Sequence, residues 1–215
     1  MNRGSIDNVR AGRKAVWGGD VGRSVLFLAV TALAVASAAC GDLTRQGTGS
    51  SYLVVNELRG ASGAEPDKFS STLHSDVVTV VDDAPTIFND VAEVSLSMEM
   101  KDVASQPTSN NAITVNRYHV RYVRADGRNT PGVDVPYPFD GAFTGTVRPG
   151  SDLTATFQIV RHIAKTEAPL GALARNLVII STIAEITFYG RDQVGNEVVA
   201  TGTMSVNFGD FADPQ

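Results

Sequence analysis

From residue 52 onward the chain alternates apolar with polar side chains. That two-residue period is what a half-buried strand demands, because successive side chains of a strand point to opposite faces. Across residues 92–100, Ala92, Val94, Leu96, Met98 and Met100 fall on one face while Glu93, Ser95, Ser97 and Glu99 fall on the other. Residues 183–189 set Ala184, Ile186 and Phe188 against Glu185 and Thr187. Residues 198–208 set Val198, Ala200, Met204, Val206 and Phe208 against Thr201, Thr203, Ser205 and Asn207. Between these two runs, Gly190, Gly195 and Asn196 supply the positive φ angles a reversing chain needs, so a long hairpin is expected. Residues 116–124 place Tyr118, Val120 and Tyr122 opposite Arg117, His119 and Arg121 and end at the turn signal Ala125-Asp126-Gly127.

Further strands are predicted at 52–58, 77–81, 139–147 and 153–161. Pro131, Pro136 and Pro138 confine residues 130–138 to a loop or a sheet edge, since proline cannot donate to a ladder. Only residues 168–176, with Pro169 near their start, hint at a helix, of one to two turns. About eight short strands at roughly ten-residue intervals argue for an all-β domain of two antiparallel sheets packed face to face. Such a pattern resembles the immunoglobulin-like sandwich, although Trp17 lies far upstream and no cysteine pair exists, so the marks of antibody domains are missing. A jelly roll or a transthyretin-like sandwich would give a similar pattern.

The first forty residues follow a different logic. A basic stretch through Arg23 precedes an apolar run from Ser24 to Ala36, and small residues then lead to Cys40, the order of a secretory signal peptide. The apolar run is shorter than the roughly 20 residues that span a bilayer comfortably. Ser37-Ala38-Ala39-Cys40 resembles the lipobox of bacterial lipoproteins, with Ser37 where leucine is commonest. That resemblance implies cleavage before Cys40 and a lipid on its thiol, and Gly41, being other than aspartate, implies export to the outer membrane. Each buried methylene contributes about 0.8 kcal/mol, so two or three acyl chains hold a protein firmly. The expected organisation is a signal peptide over 1–39, a lipidated cysteine and Gly/Ser/Thr-rich tether over 40–51, and a β-sandwich over 52–215.

Charge narrows the partners. The leader holds five cations against two carboxylates, so the chain's formal −5 becomes −8 on the remainder, and an acidic domain repels nucleic-acid phosphates. The single cysteine excludes an intramolecular disulfide. No Gly-x-Ser-x-Gly, HExxH or Cys-x-x-Cys motif occurs, and His74, His119 and His162 stand in unrelated contexts.

Three constellations remain. Arg117, His119 and Arg121 form a cationic row on one strand face, extended by Arg124 and Arg128, that could receive a carboxylate, a glycan or an acidic partner; exposed arginines also pair with cross-strand acids. Asp192, Asn196, Asp210 and Asp213, with Asp126, Asp134 and Asp140, are hard-oxygen donors that sandwich loops could gather around calcium, although aspartate in a turn commonly caps its own backbone. Val133, Tyr137 and Phe139 lie in a proline-stiffened loop suited either to recognition or to plugging the core. The expectation is thus a lipid-anchored extracytoplasmic module, noncatalytic, that binds an envelope protein or glycan or serves envelope assembly. Its rivals are a hydrolase or carbohydrate-active domain using Glu57, Glu65, Glu185 or Asp192, and a calcium-rigidified adhesion domain. Beyond the covalent lipid no cofactor is expected.

Overall fold

Alternation becomes burial most plainly along residues 90–98 and 180–192 of the computed structural model, which describes residues 49–211. Ten strands run in the order β1 (Ser51–Ala61), β2 (Thr72–Asp76), β3 (Thr79–Val81), β4 (Ala84–Thr86), β5 (Asp90–Met100), β6 (Ile113–Val123), β7 (Phe139–Val147), β8 (Leu153–Val160), β9 (Ile180–Asp192) and β10 (Glu197–Gly209). A one-turn helix α1 (His162–Thr166) and a 3-10 segment (Leu170–Arg175) link β8 to β9.

One sheet has the order β1-β5-β8 and the other β2-β10-β9-β6-β7, with β3 and β4 forming a separate small hairpin. This is an all-β two-sheet sandwich, immunoglobulin-like in its division of strands, with the first, fifth and eighth strands facing a sheet built on the last two. Pairing is antiparallel except where β2 runs parallel to β10, from Thr72 opposite Ser205 to Asp76 opposite Gly209. The expected hairpin of β9 and β10 is present, from Arg191 opposite Glu197 at the turn to Ile180 opposite Phe208 at the other extremity.

The core lies between the sheets. Val94, Leu96, Ile113, Val115, Val120, Ile186, Phe188, Val206 and Phe208 are fully buried, and Tyr118, Phe143, Phe157 and Phe188 meet edge to face at centroid distances of 4.8 to 6.4 Å. In β6 the buried face switches from Ile113 and Val115 to Tyr118, Val120 and Tyr122, and the pairing with both neighbours shifts at Asn116. A bulge there absorbs the extra residue and keeps two apolar sets of opposite parity on the inner face. Where β10 crosses β1 the sheets come close: a methyl on Gly202 would stand 2.6 Å from Leu58 Cδ1.

Two expectations change. Residues 77–81 are not one strand, because Asp76 accepts bonds from Thr79 Oγ1 (2.9 Å) and from the amide of Phe211 (3.0 Å), turning the chain between β2 and β3. The helical hint at 168–176 is the 3-10 segment, and α1 precedes it.

Candidate functional site

Cys40, the signal segment and Asp213 lie outside the described residues. Among the described residues no helix is long and apolar enough to cross a membrane.

The cationic row of β6 exists as drawn, on the outer face of the five-stranded sheet, and each member meets an acid from a neighbouring strand. Arg117 Nη1 lies 3.1 Å from Asp140 Oδ1 of β7, with its guanidinium 3.9 Å over the Tyr189 ring. His119 Nδ1 is 3.3 Å from the same Asp140 oxygen. Arg121 pairs with Glu185 of β9, directly opposite in the register. Cross-strand pairing therefore spends the positive charge of the row within the sheet. Arg124 and Arg128 both bind Asp126 in the following turn, and those hydrogen bonds, from Arg124 first and the Arg128 amide next, hold the Asp126 carboxyl well below the usual aspartate range.

Of the oxygen donors proposed for calcium that are described, Asp192 and Asn196 share a turn and Asp210 stands apart from them. Asp192 sits at the β9–β10 turn, where Oδ1 accepts the amides of Val194 (3.0 Å) and Asn196 (2.8 Å) and Oδ2 accepts Asn196 Nδ2 (2.7 Å). Asp210 follows β10 at its other extremity, thirteen residues along from Glu197 of the turn-proximal pair, roughly 40 Å at the ordinary rise of a strand. Among the described residues no three His, Cys, Asp or Glu side chains are grouped for a metal. The histidines are equally scattered: His74 packs edge-on to Phe211 at 5.2 Å, and His162 Nδ1 is 3.1 Å from Asn89 Oδ1.

The acids of the hydrolase alternative have separate partners. Glu57 is 3.5 Å from Arg59, Glu65 binds Lys68 and Glu185 binds Arg121. Four surface depressions of about 110 to 300 Å³ are each lined by at most one carboxylate, whereas glycoside hydrolysis calls for two across one cleft. The depression beside Arg117, about 250 Å³, is formed where the Asn116 bulge meets Tyr189, Gly190 and Glu197.

The proline-stiffened loop divides its roles. Val135 and Phe139 are buried in the core, whereas Val133 is 67% exposed and Tyr137 is also open to solvent. It shares its end of the sandwich with the run Leu177-Val178-Ile179, of which Leu177 is 93% exposed, because both segments adjoin the paired extremities of β6 and β9. The small β3–β4 hairpin, with exposed Val80 and Val81, follows the end of β2 that pairs with Gly209 and so lies there too. The chain enters at the opposite end, where a methyl on Gly49 would stand 3.4 Å from Asn196 Cβ of the β9–β10 turn.

Sequence reasoning missed a buried polar cluster. Lys165 of α1 places Nζ 2.8 Å from Asp90 Oδ1 at the start of β5, with the two side chains 1% and 0% exposed. The same Oδ1 accepts the Gly63 amide at 2.9 Å, and Ser75 Oγ of β2 donates to Oδ2 at 2.6 Å. Burial pushes the Asp90 carboxyl up, opposed by the nearby Lys165 charge and by the hydrogen bonds. A signal for it was present, since the core-facing parity of Ala92, Val94 and Leu96 reaches Asp90 when extended one step back.

No family model matches the chain and no curated protein matches it. Among solved structures, one described as the X-ray structure of Northeast Structural Genomics Consortium target SoR45 is similar over 77% of this chain and 92% of that chain. The identity is 11% and the TM-score 0.36, a likeness too loose to carry any argument.

Proposed function

We propose that this chain is a noncatalytic binding module of a bacterial cell envelope, moored through a lipid on Cys40, that grasps an envelope protein with the loops farthest from its tether. The anchoring half rests on the order of basic stretch, apolar run and Ser37-Ala38-Ala39-Cys40. What carries the binding half is the contrast between the two ends of the sandwich. The end where the chain enters exposes Val103 and Val194 in its connections, with Tyr52 and Val199 beside one depression, but no consecutive run of apolar residues. The far end exposes the consecutive Leu177, Val178 and Ile179 together with Val133, Tyr137, Val80 and Val81 on neighbouring connections. Loops held on a rigid sandwich are the usual place for recognition, and apolar tips favour a protein surface over a glycan. The dispersed carboxylates, each spent on a basic partner or a turn, support the noncatalytic reading.

Cells expressing the full chain test both halves. A palmitate analogue is expected to label the native protein and to be lost with Cys40→Ala. A photoreactive side chain at position 177 is expected to give a discrete protein adduct that one at position 103 does not. Equal labelling of the Cys40→Ala variant would remove the anchor, and adducts from 103 but not 177 would place recognition at the wrong end.

A further inference from the structure

The Lys165 and Asp90 side chains meet in a dry interior at a separation of 75 residues in sequence. Taking an ammonium and a carboxylate out of water costs more than their attraction returns unless the geometry is excellent. Here that geometry has a second use. The amine nitrogen lies 2.8 Å from one carboxyl oxygen, itself one bond away from the carboxyl carbon, and reacting groups held side by side in this way behave as if at very high concentration. The Gly63 amide on Oδ1 is placed to stabilise negative charge developing there, and the Ser75 hydroxyl on Oδ2 is placed to assist that oxygen's departure.

We propose that Lys165 and Asp90 condense to an intramolecular amide, Nζ to Cγ, that covalently joins α1 to the start of β5. The step begins with the proton passing from nitrogen to carboxylate inside the pair, leaving an amine and a carboxylic acid, and the burial that pushes the Asp90 carboxyl up favours this uncharged form. The nitrogen lone pair then forms the Nζ–Cγ bond, and the carbonyl π pair moves onto Oδ1 beneath the Gly63 amide. The surplus proton on Nζ ends on the hydroxyl oxygen Oδ2, which Ser75 contacts. Return of the Oδ1 electron pair expels Oδ2 as water, so one amide and one water replace one amine and one acid, with no oxidant or other reactant needed.

The bond would lie at the far end of the sandwich, beneath the loops assigned to recognition, and would be the only covalent cross-link available among the described residues, since the sole cysteine is Cys40. It does not depend on what those loops bind. The purified full-length protein is denatured, digested with trypsin and mapped by mass spectrometry. A linked species is expected in which residues 69–101 are joined to residues 162–175, uncleaved after Lys165 and lighter than the two fragments together by one water. Lys165→Arg keeps a cation opposite Asp90 but removes the nucleophile, and is expected to abolish the linked species while leaving the circular dichroism spectrum unchanged. Ser75→Ala is expected to lower the linked fraction. Separate fragments cleaved at Lys165 in the native protein would overturn the proposal, and that result needs no variant to fold.

Discussion

At the scale of single residues, several charges that look available for ligands are committed to the chain's own backbone. Asp192 accepts two turn amides and the Asn196 side chain, so Asp192→Ala removes the shared acceptor that holds the β9–β10 turn closed. The expected cost is about 1–3 kcal/mol, read as a lower urea midpoint at unchanged slope. Asp126, clasped by Arg124 and the Arg128 amide, gives a pH signature. Its folded value is depressed, so its contribution is present above the ordinary aspartate value of about 3.9 and is lost only as pH falls through the lower folded value. An NMR titration is expected to place the Asp126 midpoint below that of an unperturbed aspartate, and Arg124→Ala to raise it. Asp90 and Lys165 were the least legible residues. Asp90 continues the core-facing parity of β5, but Lys165 reads as a surface charge in its own stretch, and only folding brings together positions 75 apart.

At the scale of elements, alternation predicts the long strands because one face of each must be buried, and β5, β7, β9 and β10 match it closely. Two devices escape that pattern. β2 holds one large apolar residue, Leu73, in five, too few for a period to emerge, and β3 and β4 have only three residues each. α1 is five residues long and owes its place to Lys165 rather than to an apolar stripe. A third device is the pair of tyrosines on β6 that reach across to the other sheet. Tyr118 donates to the Gln158 carbonyl at 2.9 Å, and Tyr122 to that of Ile159 at 2.5 Å. The β5–β8 register jumps from Gln158 to Val160, so Ile159 is the bulged residue and the Tyr122 hydroxyl satisfies its buried carbonyl. Tyr122→Phe therefore removes a partner rather than a contact area, with an expected loss of about 1–3 kcal/mol in chemical denaturation.

At the scale of the whole molecule, the sandwich class was legible and the traffic between its ends was not. Alternation says which face of a strand is inside but not which loops share an extremity, and that second fact separates Asp192 from Asp210 and sets Leu177 alongside Val133. The cationic row was legible down to its residues, whereas its neutralisation depends on registers that bring Asp140 beside His119 and Glu185 beside Arg121. One remaining feature bears on traction. The described chain starts at the β9–β10 turn and finishes beyond Gly209 at the other extremity, with β2 running parallel to β10 across five residue pairs. A pull on both termini reaches β1 first and slides it lengthwise against β5, with which it pairs from Ser51 to Ala61, loading those hydrogen bonds together instead of peeling them one at a time.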